Sequence, residues 1–406
     1  MIQNRSRVAR LLARTVARGQ YQFAPGRVRE IRVAAKVRAI VLLRLTDLIV
    51  HGVVAAFMQE AMSPLSSPRL YSYRKGVSWL KAVADFAAYS RSHRDSRPDP
   101  RERGLYVLRR DVDAYTDSIP VGQRSPLWQM LRDVLQSRAT ASPVSAADWR
   151  LIERVVRPEV RMPRGGVASS FRGVPTGQPI SCVLFNLYLR SLDHALARVP
   201  GGFYARYSDD ILFAHPDASV AQDADALIDR VLSGLGLRVE PAKRSDYYLT
   251  GAGRASAAWP GARGTTSIPF LGAAVAADGT VGLHRQKLRR LLREIEARAI
   301  RTARGLAAED RDRAGRIVCT VINRALDPEA ALFPLPGAAL LRRAVTDRRQ
   351  LAQLDYRIAR VVVRAVTGDT GVRGFRTTAY RTIRNEWGLI SALHARNKWP
   401  APVGHA

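Results

Sequence analysis

Short apolar runs punctuated by turn residues fill much of the chain up to about residue 285, and helical periodicity dominates after it. The segments Gly202-Phe203-Tyr204-Ala205-Arg206 and Ile211-Leu212-Phe213-Ala214 are brief, apolar and aromatic, which predicts two buried strands. Tyr207-Ser208-Asp209-Asp210 then falls at the turn of a hairpin. Upstream, Leu105-Tyr106-Val107-Leu108 predicts a third buried strand over 105–112, running into Asp111-Val112-Asp113-Ala114-Tyr115. Between them, Gly173-Val174-Pro175-Thr176-Gly177-Gln178-Pro179-Ile180-Ser181 reads as a loop entering an amphipathic helix through Leu184, Asn186, Leu187, Tyr188 and Leu192.

Other helices are predicted over 47–62, 78–90 and 220–235, the last ended by Gly234 and Gly236. Phe270-Leu271-Gly272 opens a strand whose hairpin partner follows the turn Asp278-Gly279. From Arg285 onward, Leu288, Leu291, Leu292 and Ile295 form one apolar stripe, with Arg289 and Arg293 on other faces. Two further long helices are expected over 338–366 and 377–397. The fold class is mixed α/β, with an all-helical C-terminal region.

Charge changes the picture most. In 406 residues, 65 Lys and Arg stand against 35 Asp and Glu, a formal net charge of +30. Self-repulsion on that scale calls for a polyanionic partner, and nucleic acid is the natural one. An anionic membrane is the rival, but no apolar run reaches the roughly 18 residues a spanning helix needs, so no membrane partner is expected. Cys182 and Cys319 lie in apolar helical contexts without metal-ligand spacing, which predicts reduced core thiols and a cytoplasmic location. Residues 1–20 form a basic, partly amphipathic stretch without the features of a secretion signal.

Adjacent carboxylates at a strand turn, with a third at the end of another strand, supply hard oxygen donors of the kind divalent ions take. An acidic strand end, a Gly/Pro loop with its helix, and an aromatic-x-Asp-Asp hairpin together resemble the palm of reverse transcriptases. The resemblance covers residues 28–290 motif by motif, and the rest by position and character. It implies a right-hand polymerase: a basic N-terminal helix (1–27), fingers (28–104), palm (105–121 and 173–286) around an insertion (122–172), and a helical thumb (287–406).

The resemblance also implies roles. Asp111, Asp209 and Asp210, with the Val112 carbonyl, would hold two Mg2+ ions, for which Mn2+ can substitute. Lys36 and Arg38 would grip the triphosphate, with Tyr115, Thr116, Gln178 and Lys243 also at the nucleotide. Tyr73, Arg74 and Lys75 would contact template or primer. The Phe270-Leu271-Gly272 hairpin would support the primer end, and Arg289 and Arg293 would grip the duplex. Asp113 and Asp117 are expected to be surface or salt-bridged. Two positions depart from the family pattern. Its Pro-Gln-Gly loop reads Pro175-Thr176-Gly177 here, followed by Gln178. The sugar-gating aromatic, expected five residues after Asp111, is replaced by Thr116, with Tyr115 one earlier.

The implied function is DNA synthesis on an RNA template from dNTPs, with a DNA product or primer and a cognate non-coding RNA in anti-phage defence, as in retron and related bacterial enzymes. Template-independent or protein-primed DNA synthesis, RNA-directed RNA synthesis and a non-catalytic RNA-binding role stay open, as does a homo-oligomer.

Overall fold

The computed structural model describes residues 2–33, 36–137, 144–162, 166–169, 172–174, 176–306, 310–329, 334–369 and 371–395; the side chains of 2–5, 33, 36–38, 137 and 395 are excepted. The chain divides into two compact units, Met1–Ser78 with Val107–Asp246, and Trp79–Tyr106 with Tyr247–Ala406.

In the first unit the strands Gly26–Val33 and Lys36–Leu42 pair antiparallel, with Arg27 opposite Leu42 and Ile31 opposite Arg38. Gly26–Val33 also pairs in parallel with Val160–Arg161, which in turn pairs with Val167–Ala168. Four helices, Leu45–Met62, Pro126–Ser137, Ala146–Val156 and Pro179–Tyr188, pack together. The expected long helix through Leu192 is two pieces, because Leu189 leaves helical geometry between Pro179–Tyr188 and Arg190–Ala197.

The expectation that no segment is apolar enough to cross a membrane needs correction. Leu45–Leu65 qualifies by length and composition. One face of its helix, with Val50, Val54, Ala55 and Met58, is buried, and it packs on Pro179–Tyr188. Its other face exposes Leu45, Leu48, Ile49, Val53 and Phe57, so packing in this unit accounts for only one side of its apolar character.

The strands Phe203–Tyr207 and Asp210–His215 form an antiparallel hairpin, with Phe203 opposite Ala214 and Tyr207 opposite Asp210. Their interior is Phe203, Tyr204, Ala205, Ile211, Leu212 and Phe213, all essentially inaccessible; each large apolar side chain so buried contributes about 1.5–3 kcal/mol. Leu105–Asp111 lies next to Asp210–His215 in the sheet, followed by Ser245–Leu249. Helices Arg190–Ala197 and Ala218–Gly234 pack on the hairpin.

In the second unit Tyr247–Leu249 pairs in parallel with Arg263–Thr265. A separate meander comprises Ser267–Phe270, Ala273–Ala276 and Val281–Leu283. Here a prediction is corrected: Phe270 ends a strand, and Leu271-Gly272 is itself a tight turn with both φ angles positive, 48° and 84°. Leucine seldom adopts that conformation, so it sent no turn signal. Helix Trp79–Asp95 covers this sheet, with Phe86 edge-on to Phe270 at 6.2 Å.

Helices Arg285–Arg304, Arg311–Leu326 and Arg348–Thr367 pack on one another. The expected helix over 338–366 is broken: Ala338–Arg343 ends where Thr346 and Asp347 donate their N–H groups to the Val281 carbonyl, and Asp347 then caps Arg348–Thr367. The stretch expected as one helix over 377–397 is broken: Thr377 ends the helix Gly371–Thr377, Tyr380 and Arg381 lead into the π-turn Thr382–Glu386, Ala392–Ala395 is a short separate helix, and the last residues lie outside those described. Buried Asp355 organises it, accepting from Ser391 Oγ at 2.5 Å and from the Ala392 N–H at 2.7 Å. Cys319 is buried as expected, whereas Cys182 is only half-buried; both are free.

Candidate active site

Strand alternation sets the first feature. In Leu105–Asp111, Arg109 and Asp111 share one face and Arg110 points to the other. Arg110 is buried, and only a saturated set of partners makes that tolerable. It pairs with Asp225 at 2.7 Å and Asp246 at 2.6 Å, and also donates to the Arg109 and Ser245 carbonyls.

Asp111 closes the strand, and the next residue joins it to the hairpin: the Val112 N–H donates to the Asp209 carbonyl at 3.2 Å. The Asp111 carbonyl accepts from the Glu240 N–H at 2.8 Å, and its carboxylate forms an ion pair with Lys243. Burial disfavours the Lys243 ammonium, but Asp111, with Asp209 and Glu240, raises its pKa above the ordinary lysine value. The expected strand before Lys243 reduces to a bridge between Val239 and Val112, followed by the 3-10 turn Pro241–Lys243.

Asp209 sits in the turn and Asp210 opens the second strand. Arg109 binds both Asp210 carboxylate oxygens at 2.9 Å. Burial raises the Asp210 pKa above the usual carboxylate value; Arg109 opposes this, while the charges of Asp111 and Asp209 add to it. The third acid is therefore held by an arginine of the neighbouring strand. Among the described residues no group of three or more His, Cys, Asp or Glu is arranged to hold a metal ion. The donor set of Asp111 and Asp209 still fits Mg2+, which is commonly held by one or two carboxylates completed by substrate phosphates.

The turn rests on a buried polar network that the sequence reading missed. Ser208 has φ 58°, a left-handed conformation for a non-glycine residue. Its N–H donates to Ser72 Oγ at 2.9 Å, and Ser72 Oγ donates to Asn186 Oδ1 at 3.1 Å. Asn186 Nδ2 donates back to the Ser72 carbonyl at 2.8 Å. Arg206 donates to the Ser208 carbonyl at 2.9 Å and forms two bonds of 2.6 Å with Asp193. Burial works against the Arg206 charge, and Asp193 more than restores it. A signal existed: an arginine inside an otherwise apolar strand demands a buried acid.

Tyr73 also has a positive φ, 53°, and its ring lies 6.3 Å from Tyr207 and 6.5 Å from Phe185. Arg74 donates to the carbonyls of Ser67 and Leu70, bracing its own loop, while Lys75 is exposed. Tyr115 is buried: its hydroxyl donates to the Phe185 carbonyl at 2.6 Å, and burial holds its pKa far above the usual phenol value. Thr116 is half-buried, its carbonyl accepting from the Val174 N–H at 2.8 Å. Asp113 pairs with Arg238 at 2.7 Å.

Gln178 departs from the expected role. It is 3% exposed, at the start of helix Pro179–Tyr188, beside the fully buried His51. Gln178 adjoins the ring and favours its protonated form, yet neither amide atom nor either ring nitrogen has a well-formed hydrogen bond to a described residue. Phe270 likewise fills a core, leaving only the Leu271-Gly272 turn half-exposed. Lys36 and Arg38 lie two apart on the strand Lys36–Leu42, but their side chains, like all of Pro175, are outside the described residues. Arg289 and Arg293 are exposed on Arg285–Arg304 in the second unit.

Residues 132–275 match the family model of reverse transcriptase (RNA-dependent DNA polymerase). The match takes in the Gly/Pro loop, its helix and the Asp209-Asp210 hairpin, and starts after Asp111. An apo telomerase from Candida tropicalis aligns with a TM-score of 0.50 and 11% identity, over 90% of this chain and 60% of that one. A telomerase from Candida albicans, in complex with the TWJ fragment of telomeric RNA, aligns with a TM-score of 0.46 and 13% identity, over 87% of this chain and 61% of that one. The chain thus spans about three-fifths of these telomerases, and the likeness to the Candida tropicalis structure, at such identity, is one of fold. None of the curated proteins matches the sequence. The mixed α/β architecture is that of a reverse transcriptase palm with additional helices.

Proposed function

We propose that this chain is an RNA-directed DNA polymerase whose reacting centre is formed by Asp111 and Asp209. The observation that carries the reading is the bond from the Val112 N–H to the Asp209 carbonyl, which ties the two acid-bearing strand ends together. Asp111 and Asp209 would hold two Mg2+ ions, which supply charge neutralisation and activation of the attacking oxygen in phosphoryl transfer. The protein's own contribution is orientation. Ser72, Asn186 and Arg206 hold the turn that carries Asp209, and Arg109 holds Asp210. Lys243 stays protonated beside Asp111 and supplies a cation for the phosphates of an incoming dNTP.

RNA as template and DNA as product or primer are supported by the family match and by the net charge of +30, whereas a cognate non-coding RNA rests on the resemblance to bacterial enzymes alone. A role in anti-phage defence rests on the resemblance of the Pro-Thr-Gly-Gln-Pro loop to bacterial defence-associated enzymes. The two free cysteines support a reducing, cytoplasmic setting. The test is extension of a DNA primer on a defined RNA template, with the product sequenced. Templated product that disappears in Asp209→Asn supports the reading. Untemplated product points to the template-independent alternative, and no product from any template rejects the reading.

A further inference from the structure

The second unit contains a cavity of about 710 Å3 that includes no residue of the Asp-Asp hairpin. Four arginines line it, from three separate stretches of chain: Arg94 near the end of helix Trp79–Asp95, Arg101 and Arg103 around the 3-10 turn Pro100–Glu102, and Arg254 in the loop after Ser245–Leu249. Asp278 is the one carboxylate among the lining residues, and it is occupied with its own turn, accepting from the Thr280 N–H at 2.8 Å.

Of the four, Arg94 pairs with Asp95 at 3.5 Å, and the other three are of two kinds. Arg103 is built in, its Nε and Nη2 donating to the carbonyls of Arg97 and Pro98 at 2.7 and 2.9 Å. Arg101 and Arg254 are exposed, and neither has an ion-pair partner among the described residues. A ring completes the site. Tyr248 lines the cavity and lies on Gly104 so closely that a Cβ there would meet its hydroxyl at 2.1 Å. Its other neighbour is Tyr106, centroid to centroid 4.7 Å, and Tyr106 stacks in turn on Trp259 at 6.1 Å. Tyr248 is thus a fixed, half-exposed aromatic surface beside unpaired guanidinium groups. At Gly251 a Cβ would meet nothing within 4 Å, so the cavity wall is open there.

Guanidinium forks match phosphate oxygens in a way ammonium groups do not. Fixed rings interleaved with arginines are the chemistry of single-stranded nucleic acid, in which phosphates take the charges and a base takes the ring face. The volume lies within the range of about 300–1,000 Å3 typical of small-ligand sites, sufficient for a nucleotide of a passing strand. We propose that this cavity is a binding site for a single-stranded segment of nucleic acid, with backbone phosphates on Arg101 and Arg254 and a base on Tyr248. It would let the chain hold one strand through residues other than the reacting acids.

The full chain, first saturated with an unlabelled primer–template duplex, is titrated with a fluorescent 12-nucleotide oligouridine. The wild type is expected to bind. The double variant Arg101→Glu/Arg254→Glu should bind at least tenfold more weakly, and its log–log salt slope should fall by about 1.4, as two lost phosphate contacts at about 0.7 each require. Tyr248→Leu should weaken binding without changing the salt slope. The double variant should keep the wild-type thermal midpoint, and both variants should keep primer extension within twofold. Unchanged oligouridine affinity in the double variant overturns the proposal. An equal loss of primer extension overturns it too, since the arginines would then serve the duplex. So does uridine monophosphate binding as tightly as the oligomer, which would mark a free-nucleotide site. The binding comparison stands whether or not the chain proves to be a polymerase.

Discussion

Ser72 Oγ accepts the Ser208 backbone N–H at 2.9 Å, which joins a segment more than a hundred residues upstream to the turn that presents Asp209. Ser72→Ala removes that acceptor and the bond to Asn186, in a buried setting where an unsatisfied group costs about 1–3 kcal/mol. The variant should unfold at lower temperature. Its kcat should fall roughly 10–100-fold with little change in KM, because small misplacements of reacting groups act on the rate. Ser208→Gly in the same background should recover part of the thermal midpoint, since glycine carries no penalty at φ 58°. Unchanged kcat in Ser72→Ala would detach this network from the site.

The acids divide by partner. Asp111→Asn and Asp209→Asn should each abolish incorporation, and each should weaken Mn2+ binding measured by electron paramagnetic resonance. Asp210→Asn should instead lower thermal stability, by about 1–3 kcal/mol, because it leaves Arg109 without its paired carboxylate. It should keep Mn2+ affinity within a few-fold. Equal loss of Mn2+ binding in all three variants would put Asp210 among the ligands.

Tyr115 and Thr116 can be told apart by sugar choice. The Tyr115 ring is buried with its hydroxyl on the Phe185 carbonyl, so Tyr115→Phe should cost about 1 kcal/mol of stability and leave the dNTP/rNTP preference unchanged. Thr116→Phe should raise discrimination against rNTPs about tenfold, a difference of about 1.4 kcal/mol. Matched single-nucleotide incorporation decides it, and a shift confined to Tyr115→Phe would reverse the assignment.

His51 gives a pH dependence of stability. Burial pushes its pKa down to about 4, with Asp47 and Gln178 opposing. The folded state therefore favours neutral imidazole, and the unfolded chain takes up the proton first as pH falls. Stability from this group is fully present above about pH 6.5 and is lost progressively as the pH drops toward 4, by at most about 3 kcal/mol. Thermal midpoints from pH 7.5 to 4.5 should fall more steeply for the wild type than for His51→Gln. Parallel curves would mean that His51 is not the group responsible.

The sequence by itself determined which segments would be buried strands around the Asp-Asp turn, because alternation and apolar aromatic content report burial directly. It also determined that Asp111 would close a strand and Asp209-Asp210 would fall at a hairpin turn, together with the basic character of the chain and the helical character of the C-terminal part. Pairing between distant residues was decided only in three dimensions. Nothing in Arg109 or Asp210 announces that they meet, and nothing in Gln178 announces that its amide is buried beside His51 rather than open to a ligand. Leu271-Gly272 turns with a leucine at positive φ because the meander around it requires a reversal there, overriding the residue's own preference. Local pattern encodes whether a side chain leaves water, while the identity of its partner depends on which strand the fold brings alongside.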